Sequence, residues 1–108
     1  MKLIFAIINN DDGAIVAAEL IKAGFQITKM ASTGGFLKRG NTTFMSAVEN
    51  EKVDEVIDII RRYSEKRTFV GTNSIPHAEG VGIGVTPVQI SVGGATIFVT
   101  NIERFERI

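Results

Sequence analysis

Six consecutive apolar residues, Leu3-Ile4-Phe5-Ala6-Ile7-Ile8, stand near the start of the chain and stop abruptly at Asn9-Asn10-Asp11-Asp12. An unbroken apolar run of strand length, rich in isoleucine and phenylalanine, suits a central strand covered on both faces. Such a strand needs layers around it, and a chain of 108 residues, 44% apolar, has the material for one domain over 1–108 with its own core. The run is too short for a membrane span and lacks a small-residue cleavage site, so a soluble, cytoplasmic protein with no membrane insertion is expected.

The elements that follow alternate. Asp11 or Asp12 can cap a helix whose apolar positions include Val16, Ala17, Leu20 and Ile21, and Gly24 suits its left-handed stop. Phe25 to Ser32 reads as a strand with Phe25 and Ile27 on one face and Gln26, Thr28 and Met30 on the other. Thr42 to Val48 returns as its hairpin partner. Asn50 can cap a second helix in which Val53, Val56, Ile57, Ile60 and Tyr63 form one stripe, with Arg61 and Arg62 near its end. A long connection from about Lys66 to Pro87 leads to strands at Val88 to Val92 and Ala95 to Thr100, separated by Gly93-Gly94. The tail from Asn101 to Ile108 carries no readable pattern.

This order predicts an α+β, ferredoxin-like βαββαβ sandwich with an extra C-terminal strand, both helices lying on one face of an antiparallel sheet. The other face would be bare in a monomer. Met30, Met45 and Ala47 lie on it, which favours a homo-oligomer.

Between the hairpin strands lies Thr33-Gly34-Gly35-Phe36-Leu37-Lys38-Arg39-Gly40-Asn41-Thr42-Thr43. A turn that only reverses the chain needs two to five polar residues. This one offers backbone N–H groups at Gly34 and Gly35, a ring at Phe36, and an amide side chain at Asn41. Those groups suit a nucleotide's phosphate, base face and base edge respectively.

Other chemistries find little support. Twelve basic residues balance twelve acidic ones, against a surface for polymeric nucleic acid. There is no cysteine and one histidine, His77, so a metal site has no ligand set and His77 reads as a loop residue. No serine sits in a nucleophile elbow. Gly80-Val81-Gly82-Ile83-Gly84 is followed by Thr86-Pro87 and a strand instead of the helix a dinucleotide fingerprint needs. An RNA-recognition sheet would need aromatics that the strand after Arg39-Gly40 lacks, Phe44 being its one ring. An acylphosphatase would need an arginine where Asn9-Asn10-Asp11-Asp12 stands. Asn41-Thr42-Thr43 matches a glycosylation sequon that has no meaning without secretion. A binding protein that catalyses nothing and holds no cofactor is expected.

The run from Thr28 through the glycine turn to Phe44, together with Val92-Gly93-Gly94-Ala95-Thr96-Ile97-Phe98-Val99, resembles the PII-like cyclic di-AMP receptors of the PstA or DarA type. The likeness extends over nearly the whole chain, with the stretch from Thr68 to Pro87 divergent. It implies a homotrimer that binds cyclic di-AMP at three equivalent subunit clefts and signals to a downstream protein. It further implies that adenine packs near Phe36 and Leu37 and that Asn41 reads a base edge. Thr28 and the backbone at Gly35 would serve the phosphates and ribose, and Phe98 would close the cleft. The chain departs from the family at three further places. Gln26 stands where an arginine is usual, Ala47 where a glycine is usual, and Arg107 where a glutamine is usual. Two alternatives stay open: a site retuned to another adenine nucleotide, and an interaction module without ligand.

Overall fold

The computed structural model describes residues 1–30, 40–74 and 85–108. The first strand, β1 (Lys2–Asn9), buries Ile4, Ala6 and Ile8 on one face while Leu3, Phe5 and Ile7 stay half-buried on the other. Helix α1 (Asn10–Lys22) follows without a break. Its cap is Asn9, whose side chain accepts from the Asp11 amide at 2.8 Å. Asp11 and Asp12 were the expected caps; both instead lie inside the first turn, where their charge still suits the helix dipole.

The helix ends as Gly24 predicts. With Gly24 at φ +94°, its amide donates to the Ile21 carbonyl at 2.9 Å and the Phe25 amide donates to the Leu20 carbonyl at 3.0 Å. That pair of bonds is the Schellman stop, which only a residue free of a Cβ makes without strain. Val16 and Leu20 enter the core with Ala17 packed beside them, whereas Ile21 is 61% exposed. The buried stripe of α1 is narrower than the apolar pattern suggests.

Strand β2 (Thr28–Met30) begins three residues later than the expected run, residues 31 and 32 lying outside the described ones, and Phe25 and Ile27 pack on the core just before it. Strand β3 (Asn41–Val48) buries Thr42, Phe44, Ser46 and Val48 towards the helices. The turn between β2 and β3, with Gly35, Phe36 and Leu37, lies outside the described residues. Asn50 opens a short 3₁₀ turn, Asn50–Lys52, and caps nothing with its side chain; α2 (Val53–Ser64) continues directly from it. Val56 and Ile60 are buried, flanked by Val53, Ile59 and Tyr63. Burial of each such aliphatic side chain contributes about 1.5–3 kcal/mol.

The last three strands divide their work. The segment read from sequence as a loop begins as β4 (Arg67–Ser74), paired antiparallel with β5 (Val85–Val92) in a sheet of their own. The fourth place in the main sheet is taken by β6 (Ala95–Asn101), giving the order β2-β3-β1-β6 with every described pairing antiparallel. Both helices cover one face, so the fold is α+β and ferredoxin-like, of the PII-like kind. The β4–β5 pair stands off this body as an arm. The radius of gyration, 18.8 Å, exceeds the about 13 Å of a compact chain of this length. No described helix is long and apolar enough to cross a membrane.

Candidate functional site

Alternation along the strands sorts the outward face of the sheet into cross-strand rows. One row runs Thr28, Met45, Phe5 and Phe98; the next holds Ala47, Leu3 and Thr100. At the far end Asn41 faces Asn9. Leu3, Phe5, Ile7, Met45 and Ala47 are half-buried here, Met30 is 39% exposed and Phe98 46% exposed. The apolar character of the face is stronger than Met30, Met45 and Ala47 alone suggested, because β1 contributes its second face too.

A cleft of about 660 Å³ opens at one end of this face. Its floor is Leu3, Met45 and Ala47, with Gln26 and Thr28 forming one wall. The tail beyond β6 adds a further wall through Ile102, Phe105 and Arg107. The size suits a nucleotide-sized ligand. Four of the residues expected at the site, Gln26, Thr28, Ala47 and Arg107, therefore share one cleft. Arg107 Nη2 donates to Gln26 Oε1 at 2.9 Å, and Ser46 Oγ donates to the Gln26 carbonyl at 2.7 Å. Sequence reasoning missed Phe105, since the tail has no periodicity to reveal it. Leu3 and Met45 were accessible to it by alternation.

Asn41 is not part of that cleft. It lies six residues along β3 from Ala47, about 20 Å at ordinary strand rise. It borders a smaller depression with Asn9, Lys66, Gly93, Gly94 and Thr96. Phe98 shares a row with Thr28 but three strands away, about 14 Å. Among the described residues, the expected ones thus fall into separate groups on one face.

The arm's root adjoins the Asn41 end. Arg67 Nη2 meets Asp12 Oδ1 at 2.8 Å; Asp12 is buried and Arg67 half-exposed. The hydrogen bond and charge of Asp12 raise the Arg67 pKa above its ordinary value, so the guanidinium stays charged. The Gly94 amide donates to the Ser64 carbonyl, tying the β5–β6 turn to the end of α2. Gly93 has φ +85°, and a Cβ there would stand 2.7 Å from the Glu65 carbonyl oxygen. Among the described residues no group of three or more histidine, cysteine or carboxylate side chains could hold a metal.

These features agree with the comparisons. A solved structure from Pediococcus pentosaceus ATCC 25745, described as a functionally unknown protein, is 36% identical. The match covers 99% of this chain and 96% of that one, with a TM-score of 0.76. The sequence model of the cyclic-di-AMP receptor family matches residues 1–108. With its PII-like sheet, its nucleotide-sized cleft and this match over the full length, the chain belongs to the cyclic-di-AMP receptor family.

Proposed function

We propose that this protein is a cytoplasmic sensor that binds cyclic di-AMP between subunits of a homotrimer and catalyses nothing. The observation that carries the reading is the division of the site residues along a family-typical sheet. Gln26, Thr28, Ala47 and Arg107 meet in one cleft, while Asn41 lies about 20 Å along β3. A neighbouring subunit supplies the missing half: its Asn41 end, with Gly35, Phe36 and Leu37, approaches the cleft of the first. Adenine stacks on Phe36 beside Leu37, Asn41 reads a base edge, and the amide at Gly35 and the Thr28 hydroxyl serve the phosphates and ribose. Phe98 extends the apolar floor. Covering Leu3, Phe5, Met45 and Phe98 also removes the bare sheet face from water, which supports association.

Signalling follows from loop ordering. Ligand contacts favour one arrangement of the glycine turn and of the 66–87 arm, presenting or hiding a surface for a downstream protein. Moving such an equilibrium from 1:99 to 99:1 takes about 5.5 kcal/mol of differential affinity, within reach of a buried cyclic dinucleotide.

A second reading rests on Ala47. Its methyl group lies on the cleft floor, which suits a related adenine nucleotide of different shape. Titration calorimetry with cyclic di-AMP, using cyclic di-GMP and ATP as controls, separates the two. Selective micromolar-or-better binding at one ligand per chain supports the first reading. Preference for ATP supports the second, and no heat from any of them removes both. Phe36→Ala should weaken binding by roughly tenfold, from the loss of one stacked ring, and leave the oligomer intact in light scattering.

A further inference from the structure

The first turn of α1 holds two separate parts of the molecule at once. Asn10 reaches the start of β3. Its amide, one of the N–H groups that a helix leaves without an internal partner, donates to the Gly40 carbonyl at 2.7 Å. Its side-chain oxygen accepts from Thr42 Oγ1, the hydroxyl of a buried residue. Asn41 is therefore pinned on both sides by one residue, while its own backbone pairs with Asn9. Gly13 keeps the approach close, since a Cβ there would stand 3.4 Å from Thr42 Oγ1. Two residues on from Asn10, Asp12 faces the arm. It receives both terminal nitrogens of Arg67, at 2.8 and 3.4 Å, and Arg67 is the first residue of β4. Arg67 Nη1 also donates to the Glu65 carbonyl at 3.2 Å. Gly93 leaves room for that nitrogen, which a Cβ would approach to 2.9 Å. Asp12 is buried, so a departing Arg67 leaves a charge that a shift of the helix turn returns to water.

We infer that this turn couples the Asn41 end of the sheet face to the root of the arm: Asn10 is a positioning residue for Asn41, and Asp12 carries its placement to Arg67. Asn10, Asp11 and Asp12 belong to one helical turn, anchored downstream by Val16 and Leu20 in the core. A segment so short moves as a unit. Drawing Gly40 and Thr42 towards a ligand shifts Asp12 relative to Arg67, and freeing Arg67 loosens the turn that holds Asn41. Such coupling is reciprocal, so the arm and Asn41 influence each other by the same factor. The contacts are those of the chain itself; their use by a nucleotide rests on the proposed reading that Asn41 meets it.

The test uses Thr42→Val, Arg67→Gln and the double variant. Thr42→Val keeps the shape of the side chain, removes the hydroxyl and leaves the exposed Asn10 to water. Without ligand, the Arg67 Nε–H signal in ¹⁵N–¹H NMR, assigned by its loss in Arg67→Gln, should move in Thr42→Val. In the other direction, the Asn41 side-chain amide signal, assigned by its loss in Asn41→Ala, should move in Arg67→Gln. If either signal stays in place, the coupling is overturned. In calorimetry with cyclic di-AMP, Arg67→Gln should weaken binding about threefold, although Arg67 is not among the residues proposed to touch the ligand. Thr42→Val should cost about as much. The double variant should lose less than the product of the two, because either change alone already cuts the coupling. Unchanged affinity in Arg67→Gln, or losses that multiply, overturns it. If cyclic di-AMP does not bind at all while both ligand-free signals move, the sensor reading falls and the coupling stands.

Discussion

The four-stranded body and the two-stranded arm are built from the same backbone pairing and differ in what lies behind it. In the body, β1 is flanked on both edges and backed by α1 and α2, with Ile4, Ile8, Val16, Leu20, Val56 and Ile60 closed to water. The arm has one ladder, Arg67 with Val92 through Ser74 with Val85, and among the described residues it meets α1 through the Arg67–Asp12 ion pair at its root. An isolated two-stranded ribbon is marginal in water. The arm's persistence therefore depends on its root, where Asp12, Ser64 and the Gly93-Gly94 turn meet. Repositioning the arm needs only a few interactions to change there, whereas a change in the body would disturb the whole core.

Four substitutions break or sharpen this contrast. Ile60→Ala removes a fully buried side chain of the core and should cost about 2–5 kcal/mol in urea unfolding, with body and arm lost together. Gly93→Ala forces a Cβ into a positive-φ site against the Glu65 carbonyl. About 1–3 kcal/mol should be lost in the same measurement, and a neutral result would mean that the junction is slack. Arg67→Ala leaves the buried Asp12 carboxylate without its partner, so the unfolding midpoint should fall modestly while hydrogen exchange quickens across 67–74. A lowered midpoint with protected arm amides would reverse the contrast. Ile21→Lys, at a position 61% exposed, should stay within about 0.5 kcal/mol and serves as the control for the body's surface.

Much of the body was legible because its patterns are local. The continuous run at 3–8, the alternation of Phe25 and Ile27 against Gln26 and Thr28, the α2 stripe and the Gly24 stop each follow from spacing alone. Capping was less so. Asn9, Asp11 and Asp12 compete for one position, and the winner depends on where β1 releases the chain. β4 was hidden because Gly71 and Asn73 dilute the β-forming Thr68, Phe69 and Val70, and its partner lies across a long stretch of chain. At the site, family likeness pointed to Gln26, Thr28, Ala47 and Arg107, which the fold gathers in one cleft. That Gln26 and Arg107 bond to each other was not readable, since they are 81 positions apart. Gly35, Phe36 and Leu37 lie outside the described residues.

The Gly93-Gly94 turn gives the arm leverage. Eight residues of β5 reach about 24 Å beyond it at ordinary strand rise, so a rotation of about 10° at the pivot sweeps the far end through about 4 Å. A displacement too small to matter beside Ser64 grows, at that radius, to the width of a side chain.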